Sequence, residues 1–573
     1  MPSPSAVVPG VGIQALILCG PGVSLNTFTT NEEYPKALIP LANRPLIYYQ
    51  LSWLKKSGIT GKDSHHIDHT PSTAAPLQAA LQQNPHLTSL PTPSPSVLAP
   101  KGLDLNMGTA ELLRLPEVQA CIKTDFLLLP CDLVCEIPGE SLLEAWMVSQ
   151  SALGGSSTVS EGRNAHGPTS SGPGGEKGGR RGGLTVFYQT QNREESVKGE
   201  GTDFVAIAPL EDDEAPAVSH AVDGPAALRH NLSKVILSMP MATIKEKMEQ
   251  DKGLLLRHSL TERHPRVKML STFRDAHLYI FPYWVKELAL RQEKFQSVSE
   301  DLVGFWAKAE WQRGLGEKLG MDEIFHRENG QHAENGSYDG ESIEEEIDLL
   351  AMSTTSSRPN IKVARPIPTS SFASRVSNLS SDAEKPELKI PPLLAYVQRG
   401  SAPFVRRVDS SAILLSTALR LAKLESVEEA GAAASPFALP QKIAHPEGIA
   451  QRTTITKSDC LVGHNTTVES KCVIKESVIG ANVKICSGAR LQRCLIMDGA
   501  VVNSSCTLTG CIVGRRAVIG KDSVLKDCEV GDGYLVEEET DAKNEKFMIF
   551  EGLEDDEDMG SSGDFDGEDE LGF

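Results

Sequence analysis

Aliphatic residues recur every 17 positions in the stretch from Val462 to Leu535. The period holds in three columns, which are Val462, Ile479, Ile496, Val513 and Val530, then Val468, Ile485, Val502 and Ile519, then Ile474, Leu491, Leu508 and Leu525. Within each coil the steps are six, six and five residues, which predicts three short strands per coil, each with one inward aliphatic anchor. Only stacked coils bury a continuous core. The pattern therefore predicts a triangular parallel β-helix.

Small residues occupy fixed places in the same coils. Glycine follows the first anchor at Gly463, Gly480, Gly514 and Gly531, with Met497 as the exception. This predicts a tight corner that needs either a positive φ or a small side chain. Two further columns contain small residues, namely Cys472, Ala489, Cys506 and Ser523, then Cys460, Ser477, Cys494, Cys511 and Cys528. Because stacked strands lie about 4.8 Å apart along a ladder, the cysteines are predicted to be small buried side chains rather than metal ligands.

The N-terminal part begins with a short apolar run at residues 13–18, which predicts a buried strand. The strand leads into Gly20 and Gly22, and a glycine-rich turn after a first strand is a common place for nucleotide phosphates. The following segment, YPKALIPLANRPL, precedes a predicted helix with an apolar face at Ile47, Leu51 and Leu54. Asn43 is predicted to be its N-cap, Pro45 to lie in its first turn, and Gly58 to end it.

These motifs resemble the sugar-nucleotide pyrophosphorylase family, whose signature is G-x-G-T-R-L followed by P-K-P-L-x-P and a helix. The segment MGTAE at 107–111 resembles the family's G-T-A element, and FLLLPCD at 126–132 resembles the strand that ends in a metal-binding aspartate. The resemblance implies an α/β fold, with a Rossmann-like nucleotidyltransferase-type domain followed by a left-handed parallel β-helix of hexapeptide repeats.

The chain departs from this family at charged positions. Active members use a loop arginine, a lysine and two aspartates that hold Mg²⁺, so that catalysis is electrostatic. Here Ser24 replaces the arginine, and only the weak candidate Asp409 stands where the second aspartate belongs. We therefore expect no catalytic residue, no metal and no cofactor. The expected vestigial nucleotide-binding positions are Gly20, Gly22, Ser24, Lys36 and Asp132.

A more specific resemblance is to the gamma-subunit family of eukaryotic translation initiation factor 2B. The matching segments are PKALIPLANRPL, DAHLY at 275–279, SVIGANVKI at 477–485 and VGDGY at 530–534. The resemblance implies a non-catalytic subunit that pairs with the epsilon subunit and joins the alpha, beta and delta regulatory subunits. The complex would exchange GDP for GTP on initiation factor 2. The retained alternative is an active NDP-sugar pyrophosphorylase such as mannose-1-phosphate guanylyltransferase. A β-helix acyltransferase is disfavoured because His464 is the only histidine in the coils.

Charge and composition exclude other classes. The 573 residues contain 56 Lys and Arg against 76 Asp and Glu, a net charge of −20, which argues against a protein that coats nucleic acid or anionic membrane. We expect no direct nucleic-acid or membrane partner. With no 18-residue apolar run, no signal-like N-terminus and 11 cysteines without a C-x-x-C pair, the sequence predicts a cytosolic protein with reduced thiols.

The predicted organisation has five parts: residues 1–10 as a flexible N-terminus, 11–425 as the nucleotidyltransferase-like domain, 426–451 as a linker, 452–545 as the β-helix, and 546–573 as a disordered acidic tail. Low-complexity insertions are predicted at about 61–100, 151–182 and 328–382. After Gly58 a second parallel strand is expected, but residues 60–70 contain no apolar run. The histidines of that run, His65, His66 and His69, are predicted to be solvated rather than metal-bound.

Overall fold

The computed structural model describes residues 13–20, 25–30, 34–59, 65–68, 71–90, 95–100, 103, 107–155, 181–210, 231–254, 256–325, 388, 390–400 and 403–548. An α/β unit precedes a parallel β-helix. In these ranges no helix is long and apolar enough to cross a membrane.

A mixed sheet of nine strands forms the centre of the α/β unit. In spatial order these are β5 (Ser96–Leu98), β4 (His65–Asp68), β1 (Gln14–Leu18), β6 (Phe126–Pro130), β11 (Lys268–Phe281), β8 (Gly183–Gln189), β12 (Leu393–Gln398), β10 (Leu232–Pro240) and β9 (Asp203–Ala208). Strands β5, β4, β1 and β6 are parallel, and β11 runs antiparallel to β6. The predicted first strand is confirmed, and its apolar run is continuous because helices cover both faces of the sheet.

Two hydrophobic layers sandwich the sheet. Along β1, Ala15 and Ile17 belong to one layer and Leu16 to the other, as alternation along a strand requires. The helices of the described chain are α1 (Leu46–Lys56), α2 (Pro71–Gln83), α3 (Pro85–Thr88), α4 (Thr109–Arg114), α5 (Pro116–Cys121), α6 (Gly139–Gly155), α7 (Met241–Gln250), α8 (His258–Arg263), α9 (Trp284–Arg291), α10 (Val303–Trp311), α11 (Leu315–Lys318), α12 (Ser411–Lys423) and α13 (Val427–Ala430). Helices α1, α2 and α6 contribute to the first layer, whereas α4, α9 and α10 contribute to the second.

Two sequence predictions in the first 100 residues were wrong. Asn43 is not an N-cap, because α1 begins at Leu46 after Pro45, and Asn43 instead lies with a φ of 63° at the tip of a hairpin between β2 (Pro40–Leu41) and β3 (Arg44–Pro45). The predicted insertion at 61–100 contains β4, α2, α3 and β5. The expected second parallel strand is β4, which pairs in parallel with β1 although residues 65–68 contain no apolar run.

The β-helix has the predicted period. Its strands are β14 (Thr454–Ile455), β15 (Leu461–Val462), β16 (Thr467–Val468), β17 (Val473–Lys475), β18 (Val478–Ile479), β19 (Lys484–Ile485), β20 (Arg490–Gln492), β21 (Leu495–Ile496), β22 (Val501–Val502), β23 (Thr507–Thr509), β24 (Ile512–Val513), β25 (Val518–Ile519), β26 (Val524–Lys526), β27 (Glu529–Val530), β28 (Leu535–Val536), β29 (Asp541–Lys543) and β30 (Lys546–Phe547). They form three parallel sheets, and each predicted anchor column is in register, as in the pairing of Val462 with Ile479 and of Ile479 with Ile496.

The small residues of the coils have the packing role predicted for them. None of the four anchor-following glycines has a positive φ, and a Cβ on Gly463 would lie 2.6 Å from the backbone carbon of Gly480 in the next coil. The positive φ values occur two residues further on, at Asn465, Asn482, Gly499, Arg516 and Gly533. The cysteines of both columns are buried and free, and His464 is exposed, as predicted.

One apolar cluster joins the β-helix to the α/β unit. The outward residues Leu461, Val478, Leu495 and Ile512 of the sheet that contains β15 pack against α12, α1 and the β2–β3 hairpin. The hairpin adds polar contacts, since Asn43 Nδ2 donates to the Ile479 carbonyl at 2.9 Å. Arg44, in the same hairpin, donates to the carbonyls of Phe437 at 2.9 Å and Ala438 at 3.0 Å.

Candidate functional site

The candidate site lies where β1 and β6 end side by side. The backbone N–H of Cys131 donates to the carbonyl of Leu18 at 2.9 Å, which places Asp132 beside the end of the first strand. Carboxyl ends of adjacent parallel strands are the usual ligand-binding edge of an α/β sheet. Two further segments complete the site: a short 3-10 turn at Lys36–Leu38, and β13 (Val405–Arg407), which pairs with β7 (Leu133–Cys135).

Lys36 and Asp132 meet in a buried ion pair. Lys36 Nζ lies 2.7 Å from Asp132 Oδ2, and the two side chains are 11% and 3% exposed. Arg407 approaches the other oxygen, with Nε 3.6 Å from Asp132 Oδ1. Two residues that the sequence singled out are therefore in direct contact, and a second cation, Arg407, which the sequence analysis did not identify, lies beside them.

The second candidate carboxylate is also paired with arginines. Arg274 Nη1 donates to Asp409 Oδ1 at 3.2 Å, and Arg407 Nη2 lies 3.8 Å from Asp409 Oδ2. Arg407 thus lies between Asp132 and Asp409 and contacts both. In the described residues no group of three or more His, Cys, Asp or Glu side chains is arranged to hold a metal ion.

The electrostatics keep the central pair ionised. Burial raises the pKa of Asp132, but the positive charges of Lys36 and Arg407 outweigh burial and hold this pKa well below its usual value. Burial lowers the pKa of Lys36, and the Asp132 carboxylate more than compensates, so that this pKa is raised. Each charge therefore stabilises the ionised form of the other.

A second buried charge network adjoins the site on the β9 and β11 side. Arg406, which has no exposed side-chain surface, lies 3.2 Å from Glu200 Oε1, and Arg274 Nη1 lies 3.6 Å from the same oxygen. Asp275 accepts a hydrogen bond from the Tyr279 hydroxyl at 2.6 Å. Burial is the main reason why the pKa of Asp275 is raised to about 7.

The remaining predicted positions contribute less to this geometry. Gly20 is exposed, and a Cβ added to it would meet no atom within 4 Å. Gly22 and Ser24 lie outside the described residues. Arg274 and Arg407 were missed because they lie far along the chain from Lys36 and Asp132. The only available signal was the basic pair in FVRRVD at 404–409, next to the candidate Asp409.

The architecture defines a class of two-part protein, in which an α/β unit is joined to a left-handed β-helix. A family model described as the EIF2B subunit epsilon LbH domain matches residues 444–542. The chain is also 23% identical over 345 residues to the translation initiation factor eIF2B subunit gamma of Schizosaccharomyces pombe. That match covers 60% of this chain and only 60% of the relative. Both similarities are to subunits of eIF2B.

Proposed function

We propose that this chain is a non-catalytic, gamma-type subunit of a cytosolic guanine-nucleotide exchange complex. It pairs with the epsilon subunit, assembles with the alpha, beta and delta subunits, and helps exchange GDP for GTP on initiation factor 2. The similarity to a gamma subunit and to an epsilon-subunit β-helix supports this proposal. The exchange chemistry is supplied by the partner, and this chain supplies rigid surfaces for assembly.

The main observation in favour of a non-catalytic role is that Arg407 lies between Asp132 and Asp409. A pyrophosphorylase needs carboxylates that are free to coordinate Mg²⁺. Here each carboxylate already faces a cationic side chain, so a divalent ion would have to displace a guanidinium and an ammonium group. Lys36, in turn, is held by Asp132 rather than directed at a phosphate.

The test compares the wild-type chain with a Lys36→Met/Asp132→Asn double variant. The double change removes one positive and one negative charge together, and Arg407 keeps its contact with Asp409. A single change would leave one buried charge uncompensated, which is costly. We expect neither protein to form GDP-mannose from GTP and mannose 1-phosphate with Mg²⁺. We expect both to co-purify with the epsilon subunit and to support the release of fluorescent GDP from initiation factor 2.

Two results would contradict the proposal. Magnesium-dependent GDP-mannose formation by the wild-type chain, lost in the double variant, would identify Lys36 and Asp132 as catalytic and make the chain a pyrophosphorylase. Failure to bind the epsilon subunit, with GDP release unchanged when this chain is omitted, would exclude the exchange complex. Circular dichroism of both proteins controls for folding.

A further inference from the structure

One face of the β-helix presents unpaired positive charge. In β17, β20, β23, β26 and β29 the middle residue of each strand points into the core and its two neighbours point outward. We call these outward positions the basic face, and they are Val473, Lys475, Arg490, Gln492, Thr507, Thr509, Val524, Lys526, Asp541 and Lys543. Four of them are cationic and one is acidic. This surplus contrasts with the net charge of −20 of the whole chain.

The cations of the basic face form no ion pair with another described residue. Among the described residues, Lys475, Arg490, Lys526 and Lys543 make no ion pair, whereas the nearby Lys521 and Lys546 pair with Glu538 at 3.8 Å and Glu529 at 3.2 Å. The other two faces differ. The sheet of β15 is covered by the α/β unit, and the sheet of β16 has Lys484 as its single cation among Thr467, Val501, Val518 and Leu535.

The chain itself contains a segment of matching charge. Residues 551–573 contain 11 Asp and Glu and no Lys or Arg, and they begin four positions after Phe547, the end of β30. These residues lie outside the described part of the chain. An extended segment of this length spans about 75 Å. The five strands of the basic face, spaced by about 4.8 Å, extend over only about 19 Å, so the segment is long enough to cover the face.

We propose that residues 551–573 bind the basic face of the same chain. A single exposed ion pair contributes little, but several pairs form together here, and the short covalent connection gives the segment an effective concentration in the millimolar range. The half-exposed side chain of Val524, 45% exposed among the lysines, offers an apolar contact for Leu553 or Phe565 of the segment. Any other acidic molecule that uses this face must displace the segment.

The first experiment is an amine-acylation footprint of the full chain, measured by mass spectrometry. The comparison protein keeps the full length, with all 11 acidic residues of 551–573 changed to Asn or Gln. In the wild-type chain at low salt we expect Lys475, Lys526 and Lys543 to react at least threefold more slowly than in the neutralised chain. The difference should disappear at 0.5 M salt, because ion pairs at a surface are screened. Lys484, on the neighbouring face, should react equally in both.

A second experiment uses a fluorescent peptide of residues 549–573 with the neutralised full-length chain. We expect binding at low salt that falls at least tenfold in the Lys526→Glu/Lys543→Glu variant and is unchanged in the Lys484→Glu control. Equal lysine reactivity in the two chains would overturn the proposal. So would a peptide affinity that is the same with and without the Lys526→Glu/Lys543→Glu substitutions. Protection that increases with protein concentration would also overturn it, because the occupant would then be a segment of a second copy.

Discussion

At the scale of single residues, Asp275 is a buried carboxyl group whose ionisation should affect stability near neutral pH. Its carboxylate accepts hydrogen bonds from the Tyr279 hydroxyl and from the backbone N–H of His277 at 2.8 Å. Burial is nevertheless the largest influence and raises the pKa to about 7, while the nearby Asp203 adds to the increase. The pKa in an unfolded chain is about 3.9, so the folded state holds more protons between these two values.

We therefore expect the contribution of Asp275 to the free energy of unfolding to fall as pH rises from about 4 to about 7, with a slope of at most about 1.4 kcal/mol per pH unit. The neighbouring His277 contributes a slope of opposite sign, because burial lowers its pKa well below the usual value. Asp275→Asn should remove that contribution, because the amide is neutral throughout and still accepts from His277 and donates to Tyr279. Urea unfolding at several pH values tests this, with Asp541→Asn, an exposed carboxylate, as the matched control. A slope that is the same in wild type and Asp275→Asn would show that another group dominates.

The sequence predicted the candidate site only in part, and the reason is geometric. Lys36 and Asp132 were recognisable because each stands inside a local motif. Arg407 and Arg274 reach the same place from β13 and β11, and no local pattern links these strands to the first 132 residues. For Asn43 a local motif gave the wrong prediction. Asparagine is a common helix cap, but it also tolerates the positive φ of a hairpin tip. In that position Asn43 contacts Ile479.

At the scale of elements, the sequence predicted the strands of the β-helix because their aliphatic positions repeat at a fixed period. Each coil contacts only its neighbours, so a 17-residue period in Val462, Ile479 and Ile496 carries the information for the whole β-helix. Strand β4 has no such signal, because it belongs to no repeat and its partner β1 is about 50 residues away. For the same reason the polar sequence at 65–68 predicts part of an insertion rather than a strand.

The tight stacking of coils makes one glycine substitution diagnostic. An added Cβ at Gly463 would lie 2.6 Å from the carbonyl carbon and 2.7 Å from the carbonyl oxygen of Gly480. Both are backbone atoms, so the clash cannot be relieved by a side-chain rotation. We expect Gly463→Ala to lower the free energy of unfolding by roughly 1 to 3 kcal/mol, which is typical of overpacking. Gly201→Ala is the control, since a Cβ added to Gly201 would meet no atom within 4 Å. Equal unfolding midpoints for the two variants in urea would mean that neighbouring coils can move apart to accept the added Cβ with little loss of free energy of unfolding.

At the scale of the whole molecule, the β-helix and the α/β unit share one buried apolar cluster. Leu495 is 2% exposed although it points away from the β-helix core, because α12 and the β2–β3 hairpin cover it. Asn43 and Arg44 add hydrogen bonds across the same junction. A large apolar interface of this kind couples two units, whereas a small polar one leaves them independent.

We therefore expect the wild-type chain to unfold in one calorimetric transition. Leu495→Asp should split it into two, because burying an unpaired carboxylate at the junction costs several kcal/mol and leaves the β-helix core itself intact. The matched control is Gln492→Asp, three residues away on the exposed basic face, which should keep a single transition. Two transitions in the wild-type chain, or one unshifted transition in Leu495→Asp, would mean that the cluster does not couple the units. In that case the α/β unit could not fix the orientation of the β-helix, and the proposed scaffold role would need another source of rigidity.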